Sequence, residues 1–274
     1  MAQHATSLIA DEVVPLLGTR HFGRNFRAFA TLASTNTMAL EWAAAGAAEG
    51  SVVFADYQTA GRGRQGRTWI SAAGQNLLFS IVLRPRFDSA RWNLITLAAS
   101  VAVANAVDAV ATPLRTAIKW PNDILLEGAK CCGMLLKSSH LGREGGTVIL
   151  GIGLNVNQRS FPEALEERAT SLLLQTGQQI SRAALLADIL ARLEKQYDLL
   201  RHDEEAVRTA YIARLHGLGQ DTLIKTTLDA MPLPGTILGI TPTGALRLDT
   251  KDGERICDVG DTEDASPGVP QHTL

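Results

Sequence analysis

The chain has 274 residues, 46% of them hydrophobic and 20% charged, with a formal net charge of −2 and a pI near 6.3. That composition describes an ordinary soluble globular protein, long enough for one large domain with a small one attached, and excludes a disordered or fibrous chain. It also excludes a global basic field able to hold nucleic acid or an anionic membrane.

Residues 1–25 read as an N-terminal extension, in which Asp11 and Glu12 interrupt any signal-peptide core. Ser34 or Thr35 is an N-cap for an Ala-rich helix stopping near Gly46 to Gly50. "SVVFADY" (51–57) is a β-branched strand, and "NLLFSIVLR" (76–84) a second one covered on both faces. The apolar run 94–111 carries Asn105 and Asp108 and reads as a buried helix, not a membrane span. Short strands follow at 116–120, 123–127, 131–139 and 146–156. The cysteines there, Cys131 and Cys132, are adjacent, and with Cys257 the count is odd. This gives no disulfide framework and suits a reducing cytoplasm; the scattered histidines show no zinc spacing.

After Ser181, a helix presents Leu185, Leu186, Ile189, Leu190, Leu193 and Tyr197 on one face, and another helix spans 204–215. Gly217 and Gly219 mark a boundary, beyond which short strands with tight turns predict a small β-barrel. The expected division is a domain at 26–217, a barrel at 218–262 and a disordered tail at 263–274. The fold class is α+β: a mixed sheet with helices packed on it, plus the barrel.

Four stretches carry chemistry. "GRGRQGR" (61–67) places three arginines among three glycines between two strands. Glycines let backbone N–H groups approach phosphate oxygens, and guanidinium forks stay charged at any working pH. Mutual repulsion predicts a mobile loop before a polyanion arrives. The plainer readings are an exposed Arg-Gly turn or an RNA-binding segment. Trp69, just beyond, offers a flat ring for a base or adenylate. In "KWPND" (119–123), Pro121 ends a strand and presents Lys119, Asn122 and Asp123; this is also compatible with a simple turn. Lys130 enters an apolar strand, either snorkelling to water or facing a carboxylate. In "GIGLNVN" (151–157), Gly151 and Gly153 bare one strand face, which admits a flat ligand or a neighbouring aromatic ring.

Together "STN" (34–36), "YQTAGRGRQGRTW" (57–69), "KWPNDILLEGAKCCGMLL" (119–136), "GIGLNVN" (151–157) and "ATSL" (169–172) resemble the motifs of biotin protein ligases, in order and approximate spacing. The resemblance covers roughly 26–260 and implies a synthetase-like catalytic domain followed by an SH3-like barrel. It implies ATP and Mg²⁺, biotin as substrate, biotinyl-5′-AMP as intermediate, and a biotin carboxyl carrier protein as acceptor. By resemblance, Ser34, Thr35, Asn36, Gln58, Gly61, Arg62, Lys130, Gly133, Leu135, Gly151 and Gly153 bind biotin. Arg64, Arg67, Trp69, Asn122, Lys130 and Asn155 serve ATP and adenylate, and the segment from about Gln158 to Thr170 is a second loop closing over adenine. By the same resemblance Lys130, Arg62 and Arg64 carry the catalysis; a separate hypothesis is that Asp123 orients or deprotonates the acceptor lysine. Mg²⁺ travels on ATP, with no side-chain metal cluster.

Two positions depart from the family pattern. "KCCG" replaces the usual Lys-Leu-Ala-Gly, and Lys137 stands where many members carry a carboxylate. About thirty residues precede Ser34, too few for a winged-helix module, so the expectation is a ligase without repressor function. The resemblance also implies a possible homodimer, and no nucleic-acid or membrane partner. The rivals are a lipoate or octanoate ligase of the same architecture and an RNA-binding protein using 61–67.

Overall fold

A computed structural model of the chain describes residues 9–139, 146–225 and 231–264. Most of the expected tail lies outside that range, as do the first eight residues. Helices are α1 (Ile9–Val13), α2 (Thr35–Ala44), α3 (Asn93–Ala111), α4 (Leu172–Thr176), α5 (Arg182–Leu199) and α6 (Glu204–Ile212). The large sheet is built from β1 (Phe26–Leu32), β2 (Val52–Gln58), β3 (Leu77–Leu83), β4 (Thr116–Lys119), β5 (Asp123–Leu126), β6 (Ala129–Ser139) and β7 (Thr147–Leu154). Their order is β1-β2-β3-β7-β6-β5-β4, with β1 parallel to β2 and the other pairs antiparallel.

Both faces of the central strands are covered, which is why "LLFSIVL" is buried at every position. Strand alternation sorts the side chains. Val53, Val82 and Ile149 pack with Ala39 and Ala43 of α2. Val52, Phe54, Ile81, Leu83, Val148 and Leu150 pack with α3 and α5 on the opposite face. The apolar helix α3 is long enough to cross a membrane, yet 78% of its most apolar window is buried inside the molecule. On α5 the six apolar residues named from the sequence are each at most 2% exposed, and Ser181 caps the helix through Ala184 N–H.

A second sheet, ordered β11-β10-β9-β8-β12, comprises β8 (Asp221–Lys225), β9 (Leu233–Ile240), β10 (Leu246–Thr250), β11 (Gly253–Cys257) and β12 (Asp261–Asp264). Its pairs are antiparallel, as expected of the small SH3-like barrel. Its last strand extends to Asp264, beyond the expected end at 262, because β12 pairs with β8. α6 is shorter than expected: it ends at Ile212, and Leu215 instead bridges Ile118 beside β4. Strand β1 was not anticipated; as an outer strand it has no fully buried residue, so its apolar pattern is weak.

One polar contact fixes the chain ahead of β1. The Glu194 carboxylate of α5 accepts N–H bonds from Arg20 (2.8 Å), His21 (2.7 Å) and Phe22 (3.0 Å). Burial alone would raise its pKa, but these three bonds outweigh burial and hold it below the ordinary carboxylate value. A depressed folded-state pKa contributes stability that is present above the unfolded value, about 4.3, and lost as pH falls through the folded one. Glu194→Gln is therefore expected to remove part of the acid sensitivity of folding. Urea midpoints from pH 7 downwards should fall less steeply below about pH 4.3 than in the native protein.

Candidate active site

The register of the sheet assembles the site. Across one rung lie Leu78, Gly153, Gly133, Asp123 and Lys119; across the next lie Val53, Ser80, Gly151 and Leu135. Paired residues point to one face, here the face packed by α2. Motifs distant in sequence thus share one strip. Lys137, paired with Ile149, is half-buried one rung further on.

A β-bulge brings Lys130 to this strip. Ile124 pairs with Cys132 but Leu125 pairs with Lys130, leaving Cys131 as the extra residue. Lys130 consequently reaches the Gly133 side, where its Cε and Nζ lie 3.1 and 3.2 Å from the position a Cβ at Gly133 would take. Its ammonium pairs with Asp123 at 2.7 Å and sits 5.6 Å from the Trp69 ring centre. Of the two sequence readings, the structure selects the lysine facing a carboxylate. Cys131 and Cys132 are fully buried; burial pushes the Cys131 thiol up to about 12 and raises Cys132 as well, so both are packing groups.

The glycine face is covered by the protein's own side chains. A Cβ on Gly153 would lie 2.7 Å from Cε2 of Trp69, and one on Gly133 2.9 Å from Cζ3 of the same ring. A Cβ on Gly151 would lie 2.1 Å from Oδ1 of Asn36. The loop turns back over the sheet because Trp69 N–H donates to Gly61 carbonyl, an approach that a side chain at Gly61 would obstruct. The alternative reading, a neighbouring aromatic on the glycines, thus describes this arrangement, and that aromatic is itself a predicted site residue.

Beside it lies a buried polar cluster. Gln58 Oε1 accepts from Thr35 N–H (2.7 Å) and Thr35 hydroxyl (3.2 Å), while Asn36 Nδ2 donates to Leu135 carbonyl (3.4 Å). Ser80, missed in the sequence, joins them: its hydroxyl donates to Asn36 Oδ1 (2.5 Å) and lies 2.8 Å from Thr35 Oγ1. The signal was available, since a lone hydroxyl in an otherwise apolar buried strand requires a partner. Asn76 was missed for the same reason; it accepts from Val156 N–H and donates to Gln158, fixing the turn after β7. Ser34 precedes α2, but its hydroxyl does not cap the helix.

The arginines divide. Arg64 donates to Asn122 Oδ1 (3.1 Å) and Asp261 Oδ1 (3.1 Å), and Arg67 pairs with Asp261 Oδ2. Burial lowers the Arg64 pKa, Asp123 opposes that shift, and the neighbouring Arg67 adds to it. Repulsion within the loop is offset by Asp261, which the expectation of a mobile loop did not foresee. Arg62 is exposed and makes no side-chain hydrogen bond or ion pair among the described residues. Asn155 donates to Thr170 carbonyl (3.0 Å), and the 158–170 segment is anchored at both ends, by Gln158 to Asn76 and by Thr170 N–H to Lys130 carbonyl.

Three buried polar atoms here have no hydrogen-bond partner among the described residues: Trp69 Nε1, Asp123 Oδ1 and Asn155 Oδ1. Each such group costs roughly 1–3 kcal/mol, and their concentration at one place marks a site built for something else to satisfy them. Among the described residues no cluster of three or more His, Cys, Asp or Glu side chains could hold a metal ion.

Residues 28–155 match the model of the biotin/lipoate A/B protein ligase family. The biotin–[acetyl-CoA-carboxylase] ligase of Paracoccus denitrificans is 35% identical, over 81% of this chain and 93% of that one. The chain belongs to the biotin protein ligase family. The bifunctional ligase/repressor BirA of Bacillus spizizenii is 39% identical over 229 residues, 81% of this chain and 68% of its own length. Among solved structures, the biotin protein ligase of Aquifex aeolicus in complex with biotin and ATP superposes with a TM-score of 0.76 at 28% identity, covering 88% of this chain and 98% of that one. Family membership places the Arg-Gly loop and the glycine rungs in a biotin protein ligase rather than a lipoate ligase.

Proposed function

We infer that the protein is a biotin protein ligase. The biotin carboxylate attacks the α-phosphorus of ATP, giving biotinyl-5′-AMP and pyrophosphate. The neutral amine of a carrier lysine then attacks the acyl carbon; an amide forms, AMP leaves and the amine proton is lost. The observation that carries the reading is the bulge-positioned Lys130, set beside the glycine rungs and the Thr35–Asn36–Gln58–Ser80 cluster.

A carboxylate is a poor nucleophile towards a polyanion, because both partners are negative. Lys130, with Arg62, Arg64 and Arg67 from the loop, lowers that repulsion and stabilises charge on the phosphate oxygens. Mg²⁺ carried on ATP would neutralise part of the phosphate charge, which leaves Lys130 and the loop arginines to meet the rest. Ser34, Thr35 and Gln58 supply donors and acceptors for the ureido group, and Trp69 packs near the adenylate. Asn122 and Asn155 serve the nucleotide. The adenylate is a mixed anhydride, so loops closing over it exclude water until the acceptor comes in. Asp123, already bonded to Lys130, faces the same point and orients the incoming amine. The acceptor is a biotin carboxyl carrier protein, and the reaction belongs in the cytoplasm, where carrier and ATP are found together.

Pyrophosphate–ATP exchange run in parallel with biotin, lipoate and octanoate tests this. Exchange dependent on biotin supports the reading; exchange with lipoate or octanoate but not biotin defeats it.

A further inference from the structure

We propose that the C-terminal barrel contributes a positioning residue, Asp261, which holds Arg64 and Arg67 as an ordered pair for the phosphates of ATP. This rests on the ligase reading and goes beyond it, since it assigns one barrel carboxylate the ordering of two loop arginines before nucleotide arrives. Asp261 is the first residue of β12. One oxygen of its carboxylate takes Arg64 Nη1 at 3.1 Å and the other takes Arg67 Nη2, so a single acid bridges both guanidinium groups. Arg64 Nη1 also donates to the carbonyl of Gly260 (3.3 Å) and to Asn122 (3.1 Å), whose own Nδ2 is held by Met134 carbonyl (2.7 Å).

These bonds grip each fork by one corner. Among the described residues they use only Nη1 of Arg64 and only Nη2 of Arg67, leaving the other nitrogens of each fork to donate to phosphate oxygens. Two cations three residues apart on a glycine-rich turn repel each other and lose entropy when fixed. A shared, three-quarters-buried carboxylate offsets both costs before ATP arrives. The acid is itself well placed. Thr262 hydroxyl donates to Trp120 carbonyl (3.4 Å) and Trp120 Nε1 donates to Gly244 carbonyl (3.1 Å), seating the barrel on the KWPND turn that also carries Asn122.

Asp261→Asn tests this in the full chain. Biotin-dependent pyrophosphate exchange should show KM for ATP raised about tenfold, with kcat and KM for biotin within about twofold. Hydrogen exchange at the amides of Gly63 and Arg67, which bond within the turn, should quicken by about tenfold without any nucleotide. Thr262→Val, which loosens the barrel seam but keeps the carboxylate, separates charge from docking and should change both quantities far less than Asp261→Asn does. An unaltered KM for ATP with unaltered amide exchange in Asp261→Asn overturns the proposal. So does a lowered KM for ATP, which would make the carboxylate a competitor of phosphate. If the native chain shows no biotin-dependent exchange, the ligase reading fails, and the amide measurement still decides whether Asp261 orders the arginines.

Discussion

Gly151→Ala is expected to reduce biotin-dependent pyrophosphate exchange by about 100-fold or more, because reacting groups misplaced by about 1 Å lose rates of that order. The new methyl carbon would lie 2.1 Å from Oδ1 of Asn36, far inside contact distance. Asn36 cannot simply step aside. It is 6% exposed, accepts from Ser80 at 2.5 Å and donates to Leu135 carbonyl. Relieving the clash would break those bonds and shift the start of α2, a strain of about 1–3 kcal/mol. Thr35, the next residue back, holds the Gln58 contact and would move with it. Gly153→Ala meets a different neighbour: its methyl carbon would lie 2.7 Å from the Trp69 ring, carried by a loop that can move. A smaller loss, about tenfold, is expected there. Gly18→Ala, with nothing within 4 Å, is the control and should be unaffected. Steady-state exchange with biotin titrated at saturating ATP reads all three. Equal losses in Gly151→Ala and Gly18→Ala would show that the rung geometry has no bearing on binding.

Lys130 and Asp123 should separate the two half-reactions. Lys130→Ala removes the cation set beside the glycine rungs, and a fixed donor to a developing charge is worth roughly 10²–10³ in rate. Adenylate formation should slow by about that factor, and mixing preformed biotinyl-5′-AMP with enzyme and carrier should recover much of the transfer rate. Asp123→Asn keeps the lysine charge and an oxygen that can still accept its hydrogen bond. Adenylate should form within a few fold of the native rate, while transfer to the carrier lysine slows by about 10²-fold, the usual contribution of general acid–base catalysis. Rapid-quench single turnovers with labelled ATP, then with labelled biotin, resolve the two steps. Native-rate transfer in Asp123→Asn would remove that carboxylate from the acceptor step and leave it as the partner of Lys130 alone.

Much of this was legible in the sequence because the central strands and α5 bury continuous or periodic apolar patterns. The glycines at 133, 151 and 153 were visible as gaps in an apolar strand, and the register of β6 with β7 explains their alignment. What filled the gaps was not legible, since Trp69 reaches them through a turn whose direction depends on the Gly61–Trp69 backbone bond. The bulge at Cys131 was hidden for a related reason: two adjacent apolar residues look alike whether or not one is extra to the ladder. The Asp261 contact joins residues nearly two hundred positions apart, beyond the reach of local patterns. Strand β12 was missed with it, because "DTED" has neither apolar alternation nor β-branched bulk beyond Thr262.

Ligation by this protein depends on one capacity: making an acyl-adenylate and keeping it from water. The most direct measurement is to incubate the protein with biotin and Mg-ATP, remove free nucleotide by rapid gel filtration, and weigh the complex by native mass spectrometry. About one biotinyl-5′-AMP should be retained per chain, discharged as AMP when a carrier protein is added, and retained far less by Arg62→Ala. Protein emerging with biotin alone, or with ATP alone, and no adenylate between them would contradict that expectation.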